Sequence, residues 1–106
     1  MNIPTYGSPL ACNLGAMDAG QKERHHACGE RLRAATLEIR ELPGGFELRL
    51  PADLWAAAAE FVALERLCCP FLGFALELEP EGAALRLRMT GREGVKQFMR
   101  SEFGIK

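Results

Sequence analysis

The segment LEIRELPGGFELRL, residues 37–50, decides the fold, because two runs of alternating residues flank a short turn. In both runs most apolar residues stand at every second position, and charged residues stand between them. Pro43, Gly44 and Gly45 separate the runs, and these residue types favour a turn. An alternation of period two on both sides of a turn is typical of a β-hairpin with one apolar and one charged face.

A second hairpin is predicted at residues 74–89, where the same alternation surrounds a turn at Glu81. A shift of 37 positions brings the first turn onto the second, with Pro43 on Pro80. Turn residues match by chance often enough that this agreement alone carries little weight. The match of the turns alone therefore does not establish that the two hairpins are copies of one unit.

Support for a duplication comes from two segments with helical spacing. The same shift aligns Phe61 with Phe98 and Glu65 with Glu102. Agreement in both the hairpins and the helices favours a duplicated ββα unit. Two repeats are too few for a solenoid, so we expect the two units to share one sheet.

These patterns predict an α+β fold in a single domain covering residues 1–106, in which residues 1–17 form an N-terminal loop. The pseudo-repeated ββα units occupy residues 36–66 and 73–103. Two hairpins then form one four-stranded antiparallel sheet, with helices on its apolar face and an extra N-terminal helix.

Three helices are predicted from apolar residues spaced three and four apart. They cover residues 19–35 and about 52–67, and the last is lined by Val95, Phe98, Met99 and Phe103. The first begins at a capping box formed by Asp18 and Gln21, and a second capping box is predicted from Thr90 and Glu93. The middle helix is apolar over much of its circumference, so we expect Trp55 within it to be mostly buried.

One face of the predicted sheet is expected to be buried, and the other is expected to be exposed to solvent. Burial is expected for Phe46, Leu48, Leu50, Leu76, Leu78, Leu85 and Leu87. The other face carries four glutamates and four arginines, which predict a solvated surface of cross-strand ion pairs. The residues are Glu38, Glu47, Glu77, Glu79, Arg40, Arg49, Arg86 and Arg88.

The overall charge and hydropathy exclude several classes of partner. Thirteen basic and 14 acidic residues give a net charge of −1, so no basic field recruits nucleic acid. The longest apolar run, residues 54–64, is interrupted by Glu60 and is too short to span a membrane. The N-terminus does not resemble a signal peptide, so a cytoplasmic location is expected.

Two adjacent cysteines mark the end of the middle helix, in the run ERLCCPF at residues 65–71. Pro70 ends a helix because it lacks an N–H group. Thiolates favour soft or borderline ions such as Hg²⁺, Cu⁺ and Zn²⁺. Adjacent side chains diverge by about 100° on a regular helix, so Cys68 and Cys69 can share an ion only where the helix breaks. Cys12, in the N-terminal loop, is the candidate third ligand.

Glu65 precedes both cysteines by one helical turn, so one face presents a carboxylate beside two sulfurs. It is a candidate metal ligand, a proton acceptor for a thiol, or half of a buried ion pair. In a cytoplasmic protein, free cysteines are also common as small buried hydrophobic residues, and Cys28 is expected to be one.

His25 and His26 form a further adjacent pair, and His25 stands three residues before Cys28, which is a usable ligand spacing. A helix-face histidine bonded to a carbonyl group or to water is the more frequent outcome for such a pair. The histidines are therefore not assigned to the site from the sequence.

The run ERLCCPFL at residues 65–72 resembles the signature of a little-characterised group of small bacterial proteins. The early Cys12 loop, the LPGG turn at 42–45 and the TGREG segment at 90–94 extend the resemblance over most of the chain. Some members occur beside mercury or other heavy-metal resistance functions. The specific part, Glu-x-x-Cys-Cys-Pro-Phe, implies Cys68, Cys69 and Cys12 as shared thiols, and implies soft-metal handling without a defined activity.

Three functions remain open at this point. The first is a thiophilic metal-binding protein, acting as buffer, carrier or sensor, with Cys12, Cys68, Cys69 and Glu65 as ligands. The second is a non-metal protein-interaction or homodimerisation module, in which the cysteines are core residues. The third, less favoured, is an enzyme with a cysteine nucleophile, which a lowered thiol pKa would indicate.

Overall fold

A computed structural model describes residues 10–105 of the chain, so residues 1–9 of the predicted N-terminal loop lie outside the described part. Within residues 10–105 the chain forms three α-helices and four β-strands, which confirms the α+β fold. The elements are α1 (Ala19–Ala35), β1 (Glu38–Leu42), β2 (Gly45–Leu50), α2 (Trp55–Cys68), β3 (Gly73–Leu78), β4 (Leu85–Thr90) and α3 (Val95–Phe103). Short 3₁₀ turns lie at Leu14–Ala16, Ala52–Leu54 and Pro80–Gly82.

The four strands form one antiparallel sheet, as the two hairpins predict, and their order is β1-β2-β4-β3. Leu48 of β2 pairs with Leu87 of β4, and Leu87 in turn pairs with Leu76 of β3. The central strands approach so closely that a Cβ atom on Gly45 would lie 1.9 Å from the carbonyl oxygen of Met89. A glycine is therefore required where β2 begins.

The capping residue at the beginning of α1 is predicted correctly from the sequence, but that of α3 is not. The capping box at α1 is confirmed, since Asp18 Oδ1 accepts from the Gln21 N–H at 2.8 Å and the Gln21 side chain accepts from the Asp18 N–H. The predicted box of Thr90 and Glu93 is wrong. Thr90 is still paired in β4, and α3 begins after Gly94, whose φ of 95° makes the turn.

The core lies between the apolar face of the sheet and the helices, and most residues expected there are buried. Leu48 and Leu76 are only half-buried. The expectation for Leu78 is wrong, because its side chain is 54% exposed. Leu78 is the last residue of β3, which lies at the edge of the sheet.

Trp55 is also not where the pattern predicts, since 53% of its side chain is exposed. Leu54 is buried in its place and continues the buried stripe of Ala58 and Phe61 at spacings of four and three residues. Trp55, one position further along, is rotated about 100° away from that stripe.

The charged face of the sheet is not uniformly solvated. Glu47 is only 3% exposed, because arginine side chains from neighbouring strands lie over it. Arg88 Nε donates to Glu47 Oε2 at 2.7 Å, and Arg86 and Arg40 approach Oε1 at 3.0 and 3.1 Å. The prediction of a solvated ion-pair surface is therefore wrong for Glu47, although it holds for the exposed Glu77.

Candidate metal centre

The cysteine pair lies at the end of α2, where the backbone leaves helical geometry. Cys68 is the last helical residue, and Cys69 has φ −128° and ψ 65°, although its N–H still bonds the Glu65 carbonyl at 2.7 Å. Pro70 cannot continue the helix. The change of direction brings the two Sγ atoms to 3.7 Å from each other. The predicted break in the helix at this point is confirmed.

The N-terminal loop brings the third sulfur to the pair. The Asn13 N–H donates to the Cys68 carbonyl at 2.8 Å, which holds the loop against the end of α2. The sulfurs of Cys12, Cys68 and Cys69 all lie within 4.8 Å of one another. Three sulfurs around a trigonal ion with bonds of about 2.3 Å are about 4 Å apart, so only small movements are needed to close the set around an ion.

Cys28 does not belong to this cluster. It is buried in the core between α1 and α2, and its Sγ donates to Glu60 Oε1 at 3.1 Å. Burial, together with this hydrogen bond, raises the pKa of the Cys28 thiol to about 11. The expectation that Cys28 fills the core is confirmed.

Glu65 is buried beside the sulfurs, with 2% of its side chain exposed. Its Oε1 lies 3.5 Å from Cys68 Sγ, and its Oε2 lies 2.7 Å from Nε2 of His25. The His25 ring is stacked on Phe61, with a centroid distance of 5.3 Å and an interplanar angle of 11°. These contacts fix both members of the His25–Glu65 pair.

The role of His25 was missed from the sequence, because its spacing suggested Cys28 as its partner. A signal for the correct contact was present. The structure describes all of α2, and among the buried residues of this helix Glu65 is the charged one. A buried carboxylate needs a polar partner. His25 lies on α1, which packs against α2.

The surroundings of the cysteine pair favour the protonated thiols. Burial, with the charge of Glu65, raises the pKa of Cys68 to about 12. Burial and a hydrogen bond to Glu65 also raise the pKa of Cys69. A catalytic thiolate needs a shift in the opposite direction. A metal ion, in contrast, can displace the thiol protons when it binds.

A cavity of about 220 Å³ adjoins the site, between the helices and the apolar face of the sheet. Cys12, His25, Glu65 and Cys69 contribute to its lining, and much of the rest is apolar, including Phe61. The cavity is partly open to solvent and gives an ion a route to the ligands.

Comparison with protein-family models, curated proteins and solved structures finds no match to this chain. The resemblance to proteins with the Glu-x-x-Cys-Cys-Pro-Phe motif therefore stays a prediction. Within residues 10–105 no helix combines the length and apolar character needed to cross a membrane. The geometry of the cysteine cluster is compatible with metal binding.

Proposed function

We propose that this protein binds a thiophilic metal ion, Hg²⁺ or Cu⁺, through Cys12, Cys68 and Cys69, and acts as a buffer, carrier or sensor of that ion. One observation carries the proposal: three sulfurs from two separate parts of the chain lie within 4.8 Å of one another. Soft ions select thiolate ligands over oxygen and nitrogen, so this donor set favours them.

The burial of the cluster supports the same function. Cys68 and Cys69 are 0% and 1% exposed, whereas Cys12 is only half-buried and lines the cavity. An ion can thus reach Cys12 first and then be enclosed by the buried pair. Two thiolates balance the charge of Hg²⁺, and the third sulfur completes a trigonal arrangement.

The other two functions receive less support from these residues. Cysteines that only fill the core would lie apart from one another, as Cys28 does, but the sulfurs of the other three lie within 4.8 Å of one another. A nucleophilic cysteine needs a stabilised thiolate, and the surroundings of Cys68 and Cys69 stabilise the thiols instead. The homodimer stays a prediction for the interaction module alone.

The test is a competitive titration of the reduced protein with Hg²⁺ or Cu⁺ against a thiol chelator. Wild type is compared with Cys12→Ser, Cys69→Ser and Cys28→Ser. Cys28 is the matched control, because it is also buried and its thiol pKa is also raised, but it lies outside the cluster. Loss of Cys12 or Cys69 is expected to weaken binding by at least about tenfold, which is about 1.4 kcal/mol.

The Cys28→Ser protein is expected to bind as wild type does. Equal affinity in all four proteins would contradict the proposal and would favour the interaction module. Native mass spectrometry of reduced protein taken from cells, before any chelator is added, then identifies the ion that is bound.

A further inference from the structure

We propose a second metal site in this protein, formed by His25, Glu65 and Cys68, for a borderline divalent cation such as Zn²⁺. The site goes beyond the soft-metal function and shares only the Cys68 sulfur with it. Its ligands come from α1 and α2, whereas the soft-metal site depends on the N-terminal loop.

The distances between the three ligand atoms fit a single ion. His25 Nε2 lies 2.7 Å from Glu65 Oε2, and the other carboxylate oxygen lies 3.5 Å from Cys68 Sγ. All three ligand atoms fall within 4.8 Å of one another. Zinc bonds of about 2.0–2.3 Å place neighbouring ligands a little more than 3 Å apart. A small separation of His25 from Glu65 is enough to admit the ion.

The donor set and its charge both favour Zn²⁺. One imidazole nitrogen, one carboxylate oxygen and one thiolate are ligands that zinc accepts together. The negative charges of Glu65 and of a Cys68 thiolate balance the two positive charges of the ion. A buried site that is neutral overall avoids the cost of burying an unpaired charge.

The protein holds the ligands in place and leaves a route to them. The imidazole of His25 is fixed by its stacking on Phe61, and Glu65 is fixed within α2 one turn before Cys68. His25 and Glu65 both line the cavity, and the His25 side chain is 20% exposed. Cys68 has no exposed surface. An ion in the cavity therefore meets the imidazole and the carboxylate before it reaches the sulfur.

Co²⁺ is the spectroscopic probe for this site, and Zn²⁺ is the competitor that gives the affinity. His25→Gln retains a side-chain donor toward Glu65 but removes the imidazole ligand. His26→Gln is the matched control, because His26 is the adjacent residue of α1 and is exposed. His25→Gln is expected to weaken Zn²⁺ binding by at least about tenfold, and His26→Gln is expected to leave it within twofold.

The same proteins separate this site from the soft-metal site. Cys12→Ser is expected to weaken Hg²⁺ binding but to leave Zn²⁺ binding unchanged, and His25→Gln is expected to do the reverse. If Cys12→Ser weakens Zn²⁺ binding as much as His25→Gln does, the second site is overturned while the soft-metal proposal stands. If Hg²⁺ binding is the same in wild type and Cys12→Ser, the soft-metal proposal fails independently.

A measurement on the wild-type protein does not depend on how the variants fold. X-ray absorption at the zinc edge of protein loaded with one equivalent of Zn²⁺ is expected to show one sulfur at about 2.3 Å and nitrogen or oxygen neighbours at about 2.0–2.1 Å. A shell of three sulfurs, or a shell without sulfur, would overturn the proposal.

Discussion

The backbone N–H of Asn13 donates a hydrogen bond of 2.8 Å to the carbonyl oxygen of Cys68. The last carbonyl groups of a helix have no partner within the helix, so this bond satisfies one of them at the end of α2. It also places the residue after Cys12 directly against the cysteine pair. The bond thus joins the end of a helix to the loop that supplies the third sulfur.

Replacing Asn13 with proline is expected to weaken soft-metal binding although every sulfur is retained. Proline has no N–H to donate to Cys68, and it also restricts the backbone of Cys12. We expect the affinity for Hg²⁺ or Cu⁺ to fall about tenfold, as it does when a residue that orients a ligand is lost. Competitive titration measures the change.

Asn13→Ala is the control for that experiment, because it removes the side chain and keeps the N–H. It is expected to bind as wild type does. A similar loss in both variants would show that the Asn13 side chain, and not the backbone bond to Cys68, positions the loop.

The thiols of the cysteine pair are expected to react slowly in the metal-free folded protein. Burial and the charge of Glu65 raise the pKa of Cys68 to about 12, so very little thiolate is present at neutral pH. Alkylation of Cys68, followed by peptide mass spectrometry, is expected to be much slower in folded than in urea-unfolded protein and to accelerate as the pH rises. Rapid labelling at pH 7 would instead support a cysteine nucleophile.

The helices and strands can be predicted from local sequence patterns. The wrong predictions concern side chains whose burial depends on neighbouring elements. Alternation around Pro43 and Pro80 predicts both hairpins, because each hairpin is stabilised by its own turn and its own faces. The exposure of Leu78 goes with its place at the end of an edge strand, which the alternation does not reveal. The burial of Glu47 depends on three arginines, from β1 and β4, that close over it, which the alternation does not show.

One part of the candidate site can likewise be predicted from local sequence, and the rest depends on contacts between distant segments. The break at Cys69 is predictable, because Pro70 acts on its immediate neighbours. The sequence selects Cys12 as a ligand only because no other role is evident for it. A loop has no periodic pattern from which the place of its side chains could be predicted. The contact of His25 with Glu65 spans 40 positions and depends on how α1 and α2 pack together.

Glu47 is expected to stabilise the sheet more than an exposed glutamate of the same face. Glu47→Gln removes the charge beneath three arginines, and we expect a loss of about 1–3 kcal/mol in the free energy of unfolding. Glu77→Gln is the control, because Glu77 also pairs with Arg88 but is exposed, and such a pair contributes less than about 1 kcal/mol. Denaturant unfolding measures both.

The pH dependence of this difference has a definite sign. Burial raises the pKa of Glu47, but the hydrogen bond from Arg88 and the charges of Arg40 and Arg86 outweigh burial and hold the pKa below its ordinary value of 4.5. The carboxylate therefore stabilises the folded state fully above that pH, and its contribution is lost as the pH falls further. The difference between wild type and Glu47→Gln should shrink in acid. A constant difference down to about pH 2 would contradict this assignment.

Two aromatic residues of α2 are expected to differ strongly in their contribution to stability. Phe61 is buried and contacts both the core and His25, so Phe61→Ala is expected to cost about 3–5 kcal/mol. Trp55→Ala is expected to cost less than about 1 kcal/mol, because the indole is largely exposed. Urea unfolding of the two variants compares them, and similar losses would mean that the buried face of α2 is wrongly assigned.

The exposed position of Trp55 also determines what intrinsic fluorescence can report. It is the single tryptophan of the chain, and it stands at the first residue of α2, whereas Cys68 stands at the last. Thirteen residues of helix separate the indole from that sulfur by about 20 Å. Heavy-atom quenching acts only near contact, so an ion held by the sulfurs should leave the emission unchanged. A decrease in emission during a mercury titration would instead report ions bound elsewhere on the surface.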